Sequence, residues 1–104
     1  MNKPGIVKEF AKTAVGYGQA LNQYQQSREL VKRQKSNLES LLRWTRKPET
    51  RKASVDARKM LRMEISEARE LLKTEAALSK RLARRVASLE RALEIKTRQL
   101  VAAE

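Results

Sequence analysis

Trp44-Thr45-Arg46-Lys47-Pro48-Glu49-Thr50 is the one clear break in a chain otherwise composed for helix. A proline ring clashes with the preceding turn of a helix and has no N–H to donate, and it pushes the residue before it out of helical geometry. The same proline is accepted in a first helical turn. A second helix can therefore begin at Pro48 itself, with Thr50 and Ser54 as later candidates for its N-cap. Two amphipathic runs flank this break, so its reading decides whether the chain is one rod or a hairpin.

On the N-terminal side, Phe10, Tyr17, Tyr24, Val31 and Leu38 recur every seven residues. Ala14, Ala20, Leu21, Leu41 and Leu42 fill much of the second seam position, a heptad stripe of the kind that packs lengthwise on another helix. Ser27, Arg28, Gln34 and Lys35 interrupt it. Gly16 and Gly18 each cost a helix about 1 kcal/mol relative to alanine, so a bend or break is expected there. Pro4 and Gly5 close a short leader. The expected layout is a flexible leader over 1–5, a first helix over 6–46 and a turn over 47–52.

Beyond the turn, neither Gly nor Pro occurs from Ala53 to Val101, and the second helix is expected over 53–102. Met60, Leu71, Leu82 and Leu93 are spaced by eleven, as are Leu78, Leu89 and Leu100, with Val86 on the same face. An eleven-residue period predicts a nearly straight or slightly right-handed stripe. At ~1.5 Å per residue the second helix would run roughly 70 Å and the first roughly 55–60 Å.

Two long amphipathic helices joined by a short turn usually fold back on each other. The fold class is thus all-α: a long antiparallel helical hairpin, coiled-coil-like and oligomeric. A bundle of extended chains and a broken three-helix arrangement are the alternatives. With the turn centred near Lys47–Thr50, facing residue numbers total about 97. Leu38 then meets Met60, Val31 meets Ile65, Tyr24 meets Leu72, Leu21 meets Ala76, Ala14 meets Leu82, and Phe10 meets Val86. Arg28, Lys32 and Lys35 fall beside Glu64, Glu67 and Glu70. In that register Leu93, Ile95, Leu100 and Val101 overhang the first helix, which would leave them for a second copy or a partner's helices. Phe10, Tyr17, Tyr24, Val31, Leu38, Leu71, Leu78, Leu82, Val86, Leu89, Leu93 and Leu100 are the expected helix-packing or oligomer-interface residues.

Composition narrows the function classes. The 104 residues, room for a single domain, hold 24 Lys and Arg against 12 Asp and Glu, a formal charge of +12, with 35% charged and 4% aromatic residues. There is no His and no Cys, which removes the commonest nucleophiles, bases and metal ligands. Asp56 is the sole aspartate, and the glutamates are interleaved with Lys and Arg as on a solvated face. Gly16-Tyr17-Gly18 lacks the further Gly or Lys of a phosphate loop. No enzyme activity, catalytic residue, cofactor or metal is expected. The N-terminal stretch, interrupted by Lys8, Glu9 and Lys12, does not read as a secretory signal, and no apolar run is long enough to span a bilayer. The expected location is the cytoplasm or a larger assembly such as a virion.

The positive charge is clustered. Arg28, Lys32, Arg33 and Lys35 form one group. Arg43, Arg46, Lys47, Arg51, Lys52, Arg58, Lys59 and Arg62 surround the turn against only Glu49 and Asp56. Lys80, Arg81, Arg84 and Arg85 form a third group whose expected hairpin partner, Ala14–Gly18, is neutral. The second and third groups are the candidate contacts to a polyanion or acidic partner. Trp44 either closes the end of the core, stacks on a base or anchors a protein interface. A basic amphipathic helix can also lie on a membrane, but the second helix has no Trp or Phe at its boundary, which speaks against it.

No helix-turn-helix, zinc-finger or RNA-binding signature occurs. The leading expectation is a structural or adaptor protein that self-associates or docks on partner helices and offers a basic surface to an acidic partner. The other is sequence-independent nucleic-acid binding through the turn and Lys80–Arg85. In composition and architecture the chain resembles the short basic coiled-coil hairpins that serve as stalk or adaptor subunits in secretion machines and as small assembly or virion proteins of phages. That resemblance implies an assembly role.

Overall fold

A computed structural model describes residues 3–103 and contains three helices: α1 (Lys3–Thr45), α2 (Pro48–Arg51) and α3 (Val55–Ala103). No strand occurs among the described residues. The chain divides into two compact units, a terminal unit (Met1–Gln26 with Ser79–Glu104) and a turn unit (Ser27–Leu78). In each, a segment of α1 packs antiparallel against a segment of α3.

The turn is built as its residue types dictate. Lys47, held extended by the following proline, precedes Pro48 at the start of α2. The Thr50 and Arg51 N–H groups donate to the Lys47 carbonyl at 3.1 and 3.2 Å, and Lys52 N–H donates to the Pro48 carbonyl at 3.1 Å. After this single turn the chain restarts at Ser54, whose Oγ accepts the Ala57 N–H at 3.2 Å. That bond satisfies one of the orphan donors at the start of α3, and Asp56 sits in the same first turn, where a negative charge is favoured. Ser54 rather than Thr50 is therefore the cap of the second long helix.

Both long helices turn a heptad face inward. In the terminal unit the buried and half-buried positions of α1 include Ile6, Phe10, Thr13, Tyr17, Ala20 and Tyr24, alternately four and three residues apart; Ser79, Leu82, Val86, Leu89, Leu93, Lys96 and Leu100 follow the same rhythm on α3. In the turn unit the matching rhythm runs through Ser27, Val31, Gln34, Leu38, Leu41 and Thr45 on α1 and Leu61, Ile65, Ala68, Leu72 and Glu75 on α3, with Leu42 and Ala76 half-buried at its flank. Alternating steps of three and four average about 3.5 residues per turn, the left-handed coiled-coil period. The expected eleven-residue stripe is thus not the one used. Met60, Leu71 and Leu78, which belonged to it, are 63%, 44% and 37% exposed. Leu71 and Leu78 consequently do not belong to the seam within the chain.

The register also differs from expectation. Thr45 shares a cleft with Leu61 and Arg62, Leu41 a groove with Glu64 and Ala68, Ile6 a groove with Gln99, and Glu9 an ion pair with Lys96 at 3.6 Å. Facing residue numbers total about 106 within each unit, not about 97. The reason is α2: one extra helical turn moves the midpoint of the reversal from Lys47–Thr50 to the neighbourhood of Ala53. Leu82 then lies level with Tyr24, Leu93 with Thr13 and Leu100 with Ile6, so Leu93 and Leu100 have intrachain partners. The expected overhang is thus reduced to Ile95 and Val101, which remain 55% and 65% exposed. Lys32 pairs with Glu29 of its own helix at 3.4 Å, and Glu64 and Glu67 line a groove with Asn37 and Leu41.

The seam mixes large and small residues. Ala20 and Ser27 are 1% and 3% exposed, while no large side chain is fully enclosed. Two polar atoms on the seam lack a partner, Ser27 Oγ and Glu75 Oε2. Lys96 is the other charged seam residue; its aliphatic stem lies in the interface and its ammonium reaches Glu9.

The helix boundaries need three further corrections. α1 is helical from Lys3, so the leader expected over 1–5 is already helix at Pro4 and Gly5, and Met1 and Asn2 lie outside the described residues. Residues 48–51, expected as turn, are α2. No break occurs at Gly16 or Gly18. Neither has a positive φ, and a Cβ at either would meet nothing within 4 Å. Alanine at both positions should therefore stabilise the fold by about 1–2 kcal/mol in total, because it removes unfolded-state entropy without a clash. A thermal melt followed by circular dichroism should shift up by about 5–10 °C; a downward shift would contradict the open space seen around both residues.

Candidate polyanion-binding surface

Apart from Glu75 and Lys96, the charged side chains of α3 lie off the seam, and the heptad packing leaves them in water. Arg43, Arg46, Lys47, Arg51, Lys52, Arg58, Lys59 and Arg62 are all exposed in the turn unit. Lys80, Arg81, Arg84 and Arg85 are all exposed in the terminal unit. The two groups belong to different units.

In the turn unit the basic residues crowd the reversal of the chain. Thr45, Thr50, Arg51, Arg58, Leu61 and Arg62 line a cleft of about 270 Å³. Arg58 and Arg62 are one helical turn apart on α3, and Arg51 reaches the same cleft from the end of α2. Thr45 Oγ donates to the Leu42 carbonyl at 2.6 Å, which ties the last residue of the α1 seam to its own helix. Arg43 pairs with Glu39 at 3.9 Å, with both side chains largely in water, so this contact is worth under about 1 kcal/mol. Trp44 is 50% exposed and does not close the core; Thr45 occupies the seam position instead. The Lys47 ammonium sits over the Trp44 ring, 4.0 Å from its centroid, a cation–π contact that keeps the indole and the cation together at the surface.

In the terminal unit the shifted register gives the Lys80–Arg85 group a different neighbour from the one expected. Leu21–Gln26, not Ala14–Gly18, lies opposite. That stretch is equally uncharged, and α1 carries no charged residue from Thr13 to Ser27. The exposed cations of α3 therefore face Asn22, Gln23, Gln25 and Gln26 across the helix pair, with no carboxylate on the facing stretch. Two exposed arginines were missed from the sequence. Arg91 and Arg98 continue the line of Arg84 at seven-residue intervals, about 10.5 Å apart along the axis. Their shared spacing was a readable signal, masked by the intervening Glu90 and Glu94. Of the expected packing residues, Phe10, Tyr17, Tyr24, Val31, Leu38, Leu82, Val86, Leu89, Leu93 and Leu100 line the intrachain seam.

Comparison with protein-family models, curated proteins and solved structures gives no match. Among the described residues, no group of three or more carboxylate-type side chains is gathered as a metal site would need, and no helix is long and apolar enough to cross a membrane.

Proposed function

We propose that this chain is a non-enzymatic helical docking protein that presents a fixed basic surface to an acidic partner and associates through its helix faces, as a component of a larger assembly. The observation that carries this reading is the exposure of all twelve expected cationic contacts while the apolar heptad positions are turned inward. Long helices hold those cations at set intervals, so a partner meets them with little further ordering of the backbone. The exposed Leu71 and Leu78, with Met60 and Met63 on neighbouring faces of α3, supply apolar surface for another helix.

Nucleic acid is the second reading, favoured by the terminal unit. Lys80, Arg81, Arg84 and Arg85 lie on α3 opposite an uncharged stretch rich in amide side chains, which neither neutralises them nor repels a phosphate backbone, and Arg91 and Arg98 extend the exposed line along the same helix. Such a surface binds by releasing counterions and without reading base edges.

Light scattering with a mass readout tests both. The docking reading expects a mass above the 12.0 kDa of one chain, independent of salt if apolar faces drive it. The nucleic-acid reading expects a further mass increase with a short duplex at ~50 mM salt that disappears by ~200 mM. A 12.0 kDa particle under every condition, with no uptake of duplex, overturns both.

A further inference from the structure

We propose that the cleft beside the turn is a binding site for the terminal phosphate monoester of a nucleic-acid strand. The inference rests on the polyanion reading and deepens it by naming a site and a ligand group. Its basis is an imbalance of charge in one small space. Arg51, Arg58 and Arg62 line the same cleft of about 270 Å³. Among the described residues, none of the three makes an ion pair with a carboxylate. A guanidinium does not shed its proton to relieve crowding. Three like charges gathered without a counter-ion repel one another, and a bound anion converts that repulsion into attraction.

The donors specify the anion. Each guanidinium offers a planar fork that fits two oxygens of a phosphate. A monoester carries nearly two negative charges and three free oxygens, enough acceptors for three forks; a diester in mid-strand carries one charge and two free oxygens. The Thr50 hydroxyl adds a short donor, whereas the Thr45 hydroxyl is already given to the Leu42 carbonyl. Leu61 supplies an apolar wall beside the charged floor, suited to the sugar that follows the phosphate. The cleft lies at the last inward residue of α1 and the first of α3, where a strand end can enter. The surroundings favour nucleic acid over a phosphorylated side chain. Exposed Arg46, Lys47, Lys52 and Lys59 stand nearby for the following diesters, and the half-exposed Trp44 offers a ring for stacking.

Fluorescence anisotropy with the full chain at ~50 mM salt tests this, using 3′-labelled single strands of about twelve nucleotides that differ only in a 5′-phosphate or 5′-hydroxyl. The phosphorylated strand should bind about tenfold tighter. The paired substitution Arg58→Gln/Arg62→Gln should erase that preference. Arg58→Lys/Arg62→Lys, which keeps the charge and loses the forks, should erase most of it. Arg84→Gln should weaken both strands alike. With the unaltered protein, a 5′-mononucleotide should displace the labelled phosphorylated strand where the matching nucleoside does not, so the outcome does not hang on the variants. Equal affinity for the two strands overturns the cleft assignment and leaves the broader polyanion reading standing. Binding of neither strand overturns both. A phosphoserine peptide that binds as tightly as the phosphorylated strand overturns the nucleic-acid source.

Discussion

Serine at Leu82, Leu89 and Leu93 together should melt the terminal unit. These residues lie on the inward face of α3, level with Tyr24, Tyr17 and Thr13, and all three are half-buried. Removing a half-buried leucine side chain and leaving a hydroxyl in its place costs about 1.5–2 kcal/mol. Three such losses approach the 5–15 kcal/mol that holds a whole domain of ordinary stability. Far-UV circular dichroism should show helix lost at 25 °C, and amide exchange should become fast over residues 3–26 and 79–103. Serine at Leu71 and Leu78, which lie outside the seam, should change stability by no more than about 0.5 kcal/mol. If the triple variant melted like the original, the inward heptad face would not be what holds the helices together.

Glutamine at Arg84, Arg85 and Arg91 should flatten the salt dependence of duplex binding without touching the fold. Each phosphate contact contributes close to one unit to the slope of log affinity against log salt, so the slope should become shallower by about 2–3. All three residues are exposed on α3, and the stretch of α1 facing them carries no charge. Their replacement breaks no ion pair shown among the described residues. The melting temperature should therefore stay where it was. An unchanged slope would remove the terminal unit from the binding surface and leave the turn as the sole candidate.

Residues that obey a strong local rule were legible in the sequence. Pro48 cannot sit inside a long helix, and the first long helix ends three residues before it. Ser54 caps because its short hydroxyl reaches back to the Ala57 N–H. Phe10, Tyr17, Tyr24, Val31 and Leu38 marked one line of the α1 seam, since large side chains at heptad spacing have few other uses. The second line was obscured because Thr13, Ala20, Ser27 and Gln34 are small or polar. They are buried or half-buried because they fall on the inward face, and hydrophobicity does not report that. On α3 the opposite error arose. Met60, Leu71 and Leu78 are apolar, yet their positions fall beside the seam, and chance spacing joined them with seam residues into an apparent eleven-residue period.

The register depended on a feature no periodicity encodes. Four residues, Pro48–Arg51, take up one turn of helix, and that alone displaces every cross-helix pairing. The candidate surface was easier to read, because clustered cations off the apolar stripe stay in water in either register. The gathering of Arg51, Arg58 and Arg62 around one cleft was not legible, since it depends on how α2 places Arg51 beside α3.

The matched rhythm of threes and fours on both helices also limits how this chain can change in length. An added or lost residue in one arm would rotate everything beyond it by about 100° and turn leucines to the water. Viable insertions and deletions should come in blocks of roughly seven residues, and a block in one arm calls for its counterpart in the other. The turn answers to the same rule, because Pro48–Arg51 already set which residues of the two arms meet, and a reversal of another length would have to restore that pairing.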